Sequence, residues 1–229
     1  MCLAVGTRVR SRGDMDKMSS GVRRVGKTGD LCVDGGGGTG PKVYTIGHSN
    51  HDIGHFLRLL SIHGVRQVVD VRSRPYSRHV PHFNRESLRG ALVRMGMVYA
   101  WLGDLLGGMP DDESMYDEEG RVLYSRVART EGFARGLEEL RRMAGEGRVA
   151  VMCGEENPHG CHRALLIGRV LAGEGLEVAH IRGDGSLEAQ RADPTEEQGK
   201  QATLFREEEE WRSTRSVLPG DRRRSSSER

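Results

Sequence analysis

A chain of 229 residues with 36% apolar residues, 30% charged residues and a formal net charge of +2 cannot fold along its whole length, so the packed part must be shorter than the chain. No stretch approaches the roughly 18 apolar residues of a membrane span, and the N-terminus lacks the apolar segment of a secretory leader, so the expectation is a cytoplasmic protein with no membrane partner. Charge of both signs excludes neither a nucleic acid nor an acidic small molecule as ligand. Four cysteines, two of them in the first 40 residues, make no disulfide framework.

Residues 1–40 hold scattered Arg and Lys, few apolar residues and the run Gly35-Gly36-Gly37-Gly38. Such a segment buries too little to offset its ordering entropy and reads as a disordered arm. Residues 186–229 read as a mostly disordered charged tail, with acidic residues 207–210 followed by Arg222-Arg223-Arg224 and Ser225-Ser226-Ser227. Residues 42–185 are left for one ordinary domain.

Within that domain short apolar runs alternate with segments of helical period, which predicts an α/β fold: a mostly parallel sheet of about five strands with crossover helices on both faces. The first strand is 43–46. A helix follows, with Ile53, Phe56, Leu57 and Leu60 on one face, Asn50 or Asp52 as cap, and Gly64 past its end. The second strand is 65–71, and the helix after Asn84 buries Leu88, Ala91, Leu92 and Met95. The third strand is 97–101; a helix after Thr130 carries Phe133, Leu137 and Leu140 and stops near Gly145. The fourth strand is 149–152, the fourth helix is 161–172 with Leu165, Leu166, Val170 and Leu171 inward, and the last strand is 178–181.

Right-handed crossovers put all strand-to-helix loops on one sheet edge, where ligands of such folds collect. Those loops carry the domain's unusual polar residues. At the first strand end Gly47 allows close backbone approach, His48 is a candidate general base and Ser49 brings a hydroxyl. At the second, alternation puts Asp70, Arg72 and Arg74 on one face, followed by Ser73, Arg78, His79, His82 and Arg85. Guanidinium forks of this kind suit phosphate or carboxylate oxygens, although Asp70 alone could neutralise Arg72 or Arg74. The stretch at Leu105-Leu106-Gly107-Gly108 reads as a turn over the pocket.

The fourth loop runs from Cys153 through Glu155 to Cys161, His162 and Arg163. A thiol at a helix start is drawn toward thiolate, which makes Cys161 the candidate reactive group, with Cys153 either a second thiol or core packing. Cys153, Cys161 and His162 also supply metal-ligating atoms. Neighbours on a helix point about 100° apart, however, and the spacing fits no common zinc module, so no metal ligand is assigned; His48 is the natural extra ligand should an ion bind. Arg163 follows the cysteine too late for a cysteine phosphatase loop.

The strings Tyr44-Thr45-Ile46-Gly47-His48-Ser49, Val69-Asp70-Val71-Arg72-Ser73 with Pro75 and Ser77-Arg78, Leu102-Gly103, Leu106-Gly107-Gly108, Cys153 with Glu155 and Pro158, Cys161-His162-Arg163 and His180-Ile181 together resemble the domain-of-unknown-function 488 family, in order across the domain. The resemblance implies that these same residues make the site, and it carries no general activity over with it.

The first expectation is therefore a small enzyme on a phosphorylated or nucleotide-like substrate. In it Arg72, Arg78 and Arg163 hold anionic oxygens, assisted by Gly47, Ser49, Ser73 and His162; Cys161 or Cys153 is the reactive thiol, Glu155 or His48 carries the proton and Asp70 orients. The alternatives are a non-catalytic nucleic-acid or nucleotide-binding module and a metal-binding version of the enzyme; no cofactor is named. In the tail, Gln201-Ala202-Thr203-Leu204-Phe205 resembles the peptides by which bacterial replication and repair proteins dock on the sliding clamp, through Gln201, Leu204 and Phe205.

Overall fold

The computed structural model describes residues 42–191 and 211–217, and the expected disordered arm and the motif at 201–205 lie outside them. Apolar runs too short for helices become five strands that pair in parallel: β1 Lys42–Gly47, β2 Gln67–Asp70, β3 Val98–Trp101, β4 Val149–Cys153 and β5 Glu177–Ile181. A sixth strand that the pattern does not announce, β6 Leu187–Ala189, pairs antiparallel to β5. The sheet is thus mixed, in the order β3-β2-β4-β1-β5-β6.

Helix α1 (Ile53–Ile62) starts where the Asp52 carboxylate accepts from the His55 amide at 2.9 Å. Helix α2 is Arg85–Arg94; short turns α3 (Gly103–Leu106) and α4 (Tyr124–Val127) follow; α5 (Glu131–Glu146) is capped by the Thr130 hydroxyl. A π-helical segment, Arg163–Gly168, then runs into α6, Arg169–Gly173. Met95, expected inside, is 48% exposed because α2 has already ended and the chain turns away at Gly96.

Alternation along the strands divides the core in two. Tyr44, Ile46, Val68, Ala150 and Met152 face α1 and α2 through Phe56, Leu60, Leu88 and Leu92. Val43, Val69, Val149, Val151 and Cys153 face the other side, packing with Phe133, Leu137, Leu140, Leu166 and Ile167. Each such large apolar side chain, once fully buried, contributes about 1.5–3 kcal/mol. No helix of the described residues is long and apolar enough to cross a membrane.

The strand order decides where a ligand fits. From β2 the chain moves outward to β3, whereas from neighbouring β4 it crosses to β5 in the other direction. The connections diverge, and a crevice opens at the C-terminal ends of β2 and β4, the topological switch point of the sheet.

Candidate functional site

Cys153 is the last residue of β4, and the two-residue period that points Val149 and Val151 toward α5 points its thiol the same way, at the floor of the crevice. Beyond it the ladder continues into the loops: the His48 amide donates to Cys153 O and the Ser49 amide to Gly154 O, both at 2.9 Å. This approach requires glycine at 47, since a Cβ there would stand 1.9 Å from the Glu155 carbonyl oxygen. The chain then makes one tight turn, Pro158–Gly160, capped by the Asn157 side chain accepting from the His159 amide.

Cys161 closes that turn in extended conformation (φ −121°, ψ 141°), and His162 caps the following helical segment. The helix therefore begins after the cysteine, not at it. This overturns the geometric objection to a shared ion, because Cys161 and His162 are not successive residues of one helix. The Sγ atoms of Cys153 and Cys161 lie 3.8 and 3.7 Å from His162 Nδ1, and the three atoms are all within 4.8 Å of one another. His162 Nε2–H donates to Val71 O at 3.2 Å, at the end of β2. That bond fixes the tautomer and leaves the Nδ1 lone pair facing both sulfurs, as in ligating histidines held by a backbone carbonyl.

All three residues are buried, yet all three line a cavity of about 320 Å³ together with Arg74, Tyr124 and Glu155. Such a volume lies at the lower end of small-molecule sites. Gly108 and Met109 form part of the wall, and a Cβ on Gly108 would come within 2.6 Å of the His162 ring. The Cys161 thiol is pulled down to about 7, first by the hydrogen bond from Cys153 and then by Arg163; the same bond and burial push Cys153 up. Burial also raises Tyr124. Both cysteines are free thiols.

The expected anion-binding arginines divide into two kinds. Arg72 pairs with Asp70 through Nε to Oδ1 (2.9 Å) and Nη2 to Oδ2 (2.7 Å), and also donates to Phe83 O and His48 Nε2. Asp70 takes a further bond from the Tyr99 hydroxyl at 2.9 Å. Arg163 is completely buried, its donors taken by Thr45 Oγ1 and by the Glu155 and Glu156 carbonyls. These guanidinium groups are committed to holding the loops, and a substrate oxygen would have to displace internal partners. Arg78 is exposed and does not line the cavity.

His48 is likewise committed. Its Nδ1–H donates to Ser49 O, Nε2 accepts from Arg72, the ring stacks on Phe83, and burial holds it down to about 4. It stays neutral and stands apart from the two thiols, which removes it as the extra metal ligand. Ser49 sits at φ 45° where the loop turns; Ser73 Oγ accepts from the Met109 amide at 3.1 Å and so ties the wall to β2.

The sequence reading missed one wall altogether. Residues 211–217 lie along 117–125 as a strap. The Ser125 amide donates to Trp211 O (3.2 Å), Ser213 N to Val122 O (2.8 Å) and Val217 N to Gly120 O (3.1 Å), and Arg212 pairs with Asp117 at 2.9 Å. Arg169 stacks 4.4 Å over the Trp211 ring. Ser213, Arg215 and Val217 thereby reach the cavity, and Arg215 pairs with Glu155 at 2.7 Å. The one available signal was Trp211, the only tryptophan in a tail otherwise largely charged and polar.

Fold and site together define an α/β protein with a mixed, mostly parallel sheet and a thiol–imidazole pocket at its switch point. The chain belongs to the family described as "Domain of unknown function DUF488", whose model matches residues 52–170. The match takes in Asp70, Arg72 and the stretch from Cys153 to Arg163, while β1 with Gly47, His48 and Ser49, and the strap, lie outside it. No curated protein and no solved structure matches the chain.

Proposed function

We propose that the chain is a small cytoplasmic enzyme that hydrolyses a phosphorylated or nucleotide-like substrate at a metal ion held by Cys153, Cys161 and His162. The convergence of the three donor atoms supports this reading. Tetrahedral bonds of about 2.3 Å to sulfur and about 2.0–2.1 Å to nitrogen imply S···N edges of about 3.6 Å, against the 3.7 and 3.8 Å present here. Two thiolates and an imidazole suit zinc, or iron in its place, and three protein ligands leave a fourth position. The cavity lies against all three ligands and gives that position access to substrate.

When bound by these three residues, such an ion would supply Lewis-acid chemistry, acidifying a water and polarising the substrate. Glu155, on the cavity wall, would take the proton of the attacking water as that oxygen bonds to the substrate's phosphorus and the bond to the leaving group breaks, and would return the proton to that group. The roles of the remaining side chains differ from the expected ones. Arg163 fixes the carbonyls of the ligand loop, and Asp70 with Arg72 fixes the end of β2, whose Val71 carbonyl orients His162.

The test is elemental analysis of protein purified without a metal-chelating tag, beside Cys153→Ser, Cys161→Ser and His162→Gln. The expected result is near-stoichiometric zinc or iron in the wild type and its loss in all three variants. Cobalt exchange should give thiolate-to-metal charge-transfer absorption. Metal-free protein with one fast-reacting thiol, silenced only in Cys161→Ser, would refute the metal centre and favour a thiolate enzyme in the same pocket.

A further inference from the structure

The cations that the fold spends internally point to those it does not. Arg72 and Arg163 have their donors consumed by Asp70, Thr45 and backbone carbonyls. Arg74 and Arg215 are the cavity-lining arginines left with exposed guanidinium groups. Arg74 has no partner among the described residues, and Arg215 has the Glu155 carboxylate, at 2.7 Å and with more than half of both side chains exposed. A pair so solvated is weak and readily exchanged.

We infer that Arg74 and Arg215 form the subsite for the substrate's phosphate, and that the phosphate, on arriving, displaces Glu155 from Arg215 and frees its carboxylate for proton transfer. The inference rests on the cavity being the substrate site and goes further in assigning recognition to the strap. Arg74 comes from the loop after β2, inside the family domain; Arg215 comes from residues 211–217, outside it. The strap is anchored independently of any ligand, by Ser213 in both directions with Val122 and by Val217 to Gly120, so Arg215 stands at the mouth before substrate arrives. Two guanidinium forks facing one cavity match the oxygens of a terminal phosphate better than a single point charge does. The coupling is an exchange of partners: with the anion absent, Arg215 masks Glu155, and with it bound the carboxylate is released into the cavity that Cys153, Cys161 and His162 line.

Inorganic phosphate titrated by calorimetry into zinc-reconstituted full-length protein tests this, with Arg74→Ala, Arg215→Ala, Arg215→Lys, Glu155→Gln and Cys153→Ser compared. Both alanine variants should weaken binding by roughly tenfold or more, Arg215→Lys should lose less, and Glu155→Gln should tighten binding because it removes the competing carboxylate. Cys153→Ser, which empties the metal site, should keep most of the phosphate affinity. No saturable binding to the wild type, or affinity indifferent to both arginines, overturns the subsite. Binding lost in Cys153→Ser and unmoved by the arginines places the anion on the metal, refuting the subsite while leaving the metal centre standing. Arginine-dependent binding to protein that never takes up metal does the reverse.

Discussion

Lowering the pH from 6.5 to 5 should cost the fold on the order of 3 kcal/mol through two histidines alone. His48 and His180 are both buried, 6% and 0% exposed, and burial holds each down to about 4 from an ordinary value of 6.5. His180 is further disfavoured as a cation by Arg163, and His48 by Arg72. Below 6.5 the unfolded chain takes up protons at both positions while the native state does not, so protonation favours unfolding. At 1.36 kcal/mol per pH unit the interval from 6.5 to about 4 is worth about 3 kcal/mol for each ring. Most of that is lost before the carboxylates begin to protonate: Glu188, held down to about 2 by His159 and Arg182, gives up its contribution only in stronger acid. Urea unfolding at half-unit steps between pH 7.5 and 5, with proton NMR titration of the imidazoles in the native state, measures both sides of the linkage. Native His48 and His180 signals titrating near 6.5, or a flat stability profile over that interval, would refute the reasoning.

Arg163→Met keeps the aliphatic volume but strips donors from Thr45 Oγ1 and two loop carbonyls, and should destabilise by roughly 3 kcal/mol in chemical denaturation. Arg163→Lys should fail to restore it, because a single ammonium cannot reach three diverging acceptors; full rescue by lysine would contradict the clamp. Gly108→Ala drives a methyl to within 2.6 Å of the His162 ring and should weaken zinc binding by roughly tenfold or more although it replaces none of the proposed ligands, as read by competition with a chromogenic chelator. Unchanged affinity would show that the ring has room to move. In the tail, Leu204→Ala with Phe205→Ala should abolish binding of the full chain to a bacterial sliding clamp and leave metal content unchanged; a wild type with no affinity for the clamp sinks the docking motif.

The five parallel strands lie within two residues of their apolar runs because β1, β2, β4 and β5, covered on both faces, write themselves as near-continuous apolar runs, and edge strand β3, half-exposed, still reads as the short run Val98-Tyr99-Ala100-Trp101. Strand β6 has no such signature: only three residues long, it is held through backbone pairing with β5. The start of the last helical segment was misjudged for a related reason. Helical periodicity through Leu165, Leu166 and Leu171 marks its inward face, but the turn at Pro158–Gly160 leaves Cys161 extended and delays the helix to His162 and beyond. That shift of two residues turns Cys161 and His162 from diverging neighbours into atoms 3.7 Å apart. Loop chemistry was legible as residue type, since topology alone assigns Cys153, Cys161, His162 and the arginines to one edge. The pairing of Arg72 with Asp70 was legible too, but the commitment of Arg163 was not, because its partners are the Thr45 hydroxyl and backbone carbonyls, and every residue has a carbonyl.

The strap separates two inheritances. The thiols, the imidazole and the carbonyl that orients it all sit on the stretch that the family model covers, whereas Arg215 is carried by a segment outside it that pairs with 117–125 and packs Trp211 and Val217 against the core. Trp211, Ser213 and Val217 hold the segment in place, and Arg215 between them is exposed. On the proposed reading, exchanging the exposed Thr214 and Arg215 between those anchors would change which ligand the cavity takes while leaving the proposed metal ligands as they are, and this makes the strap the natural place to alter selectivity.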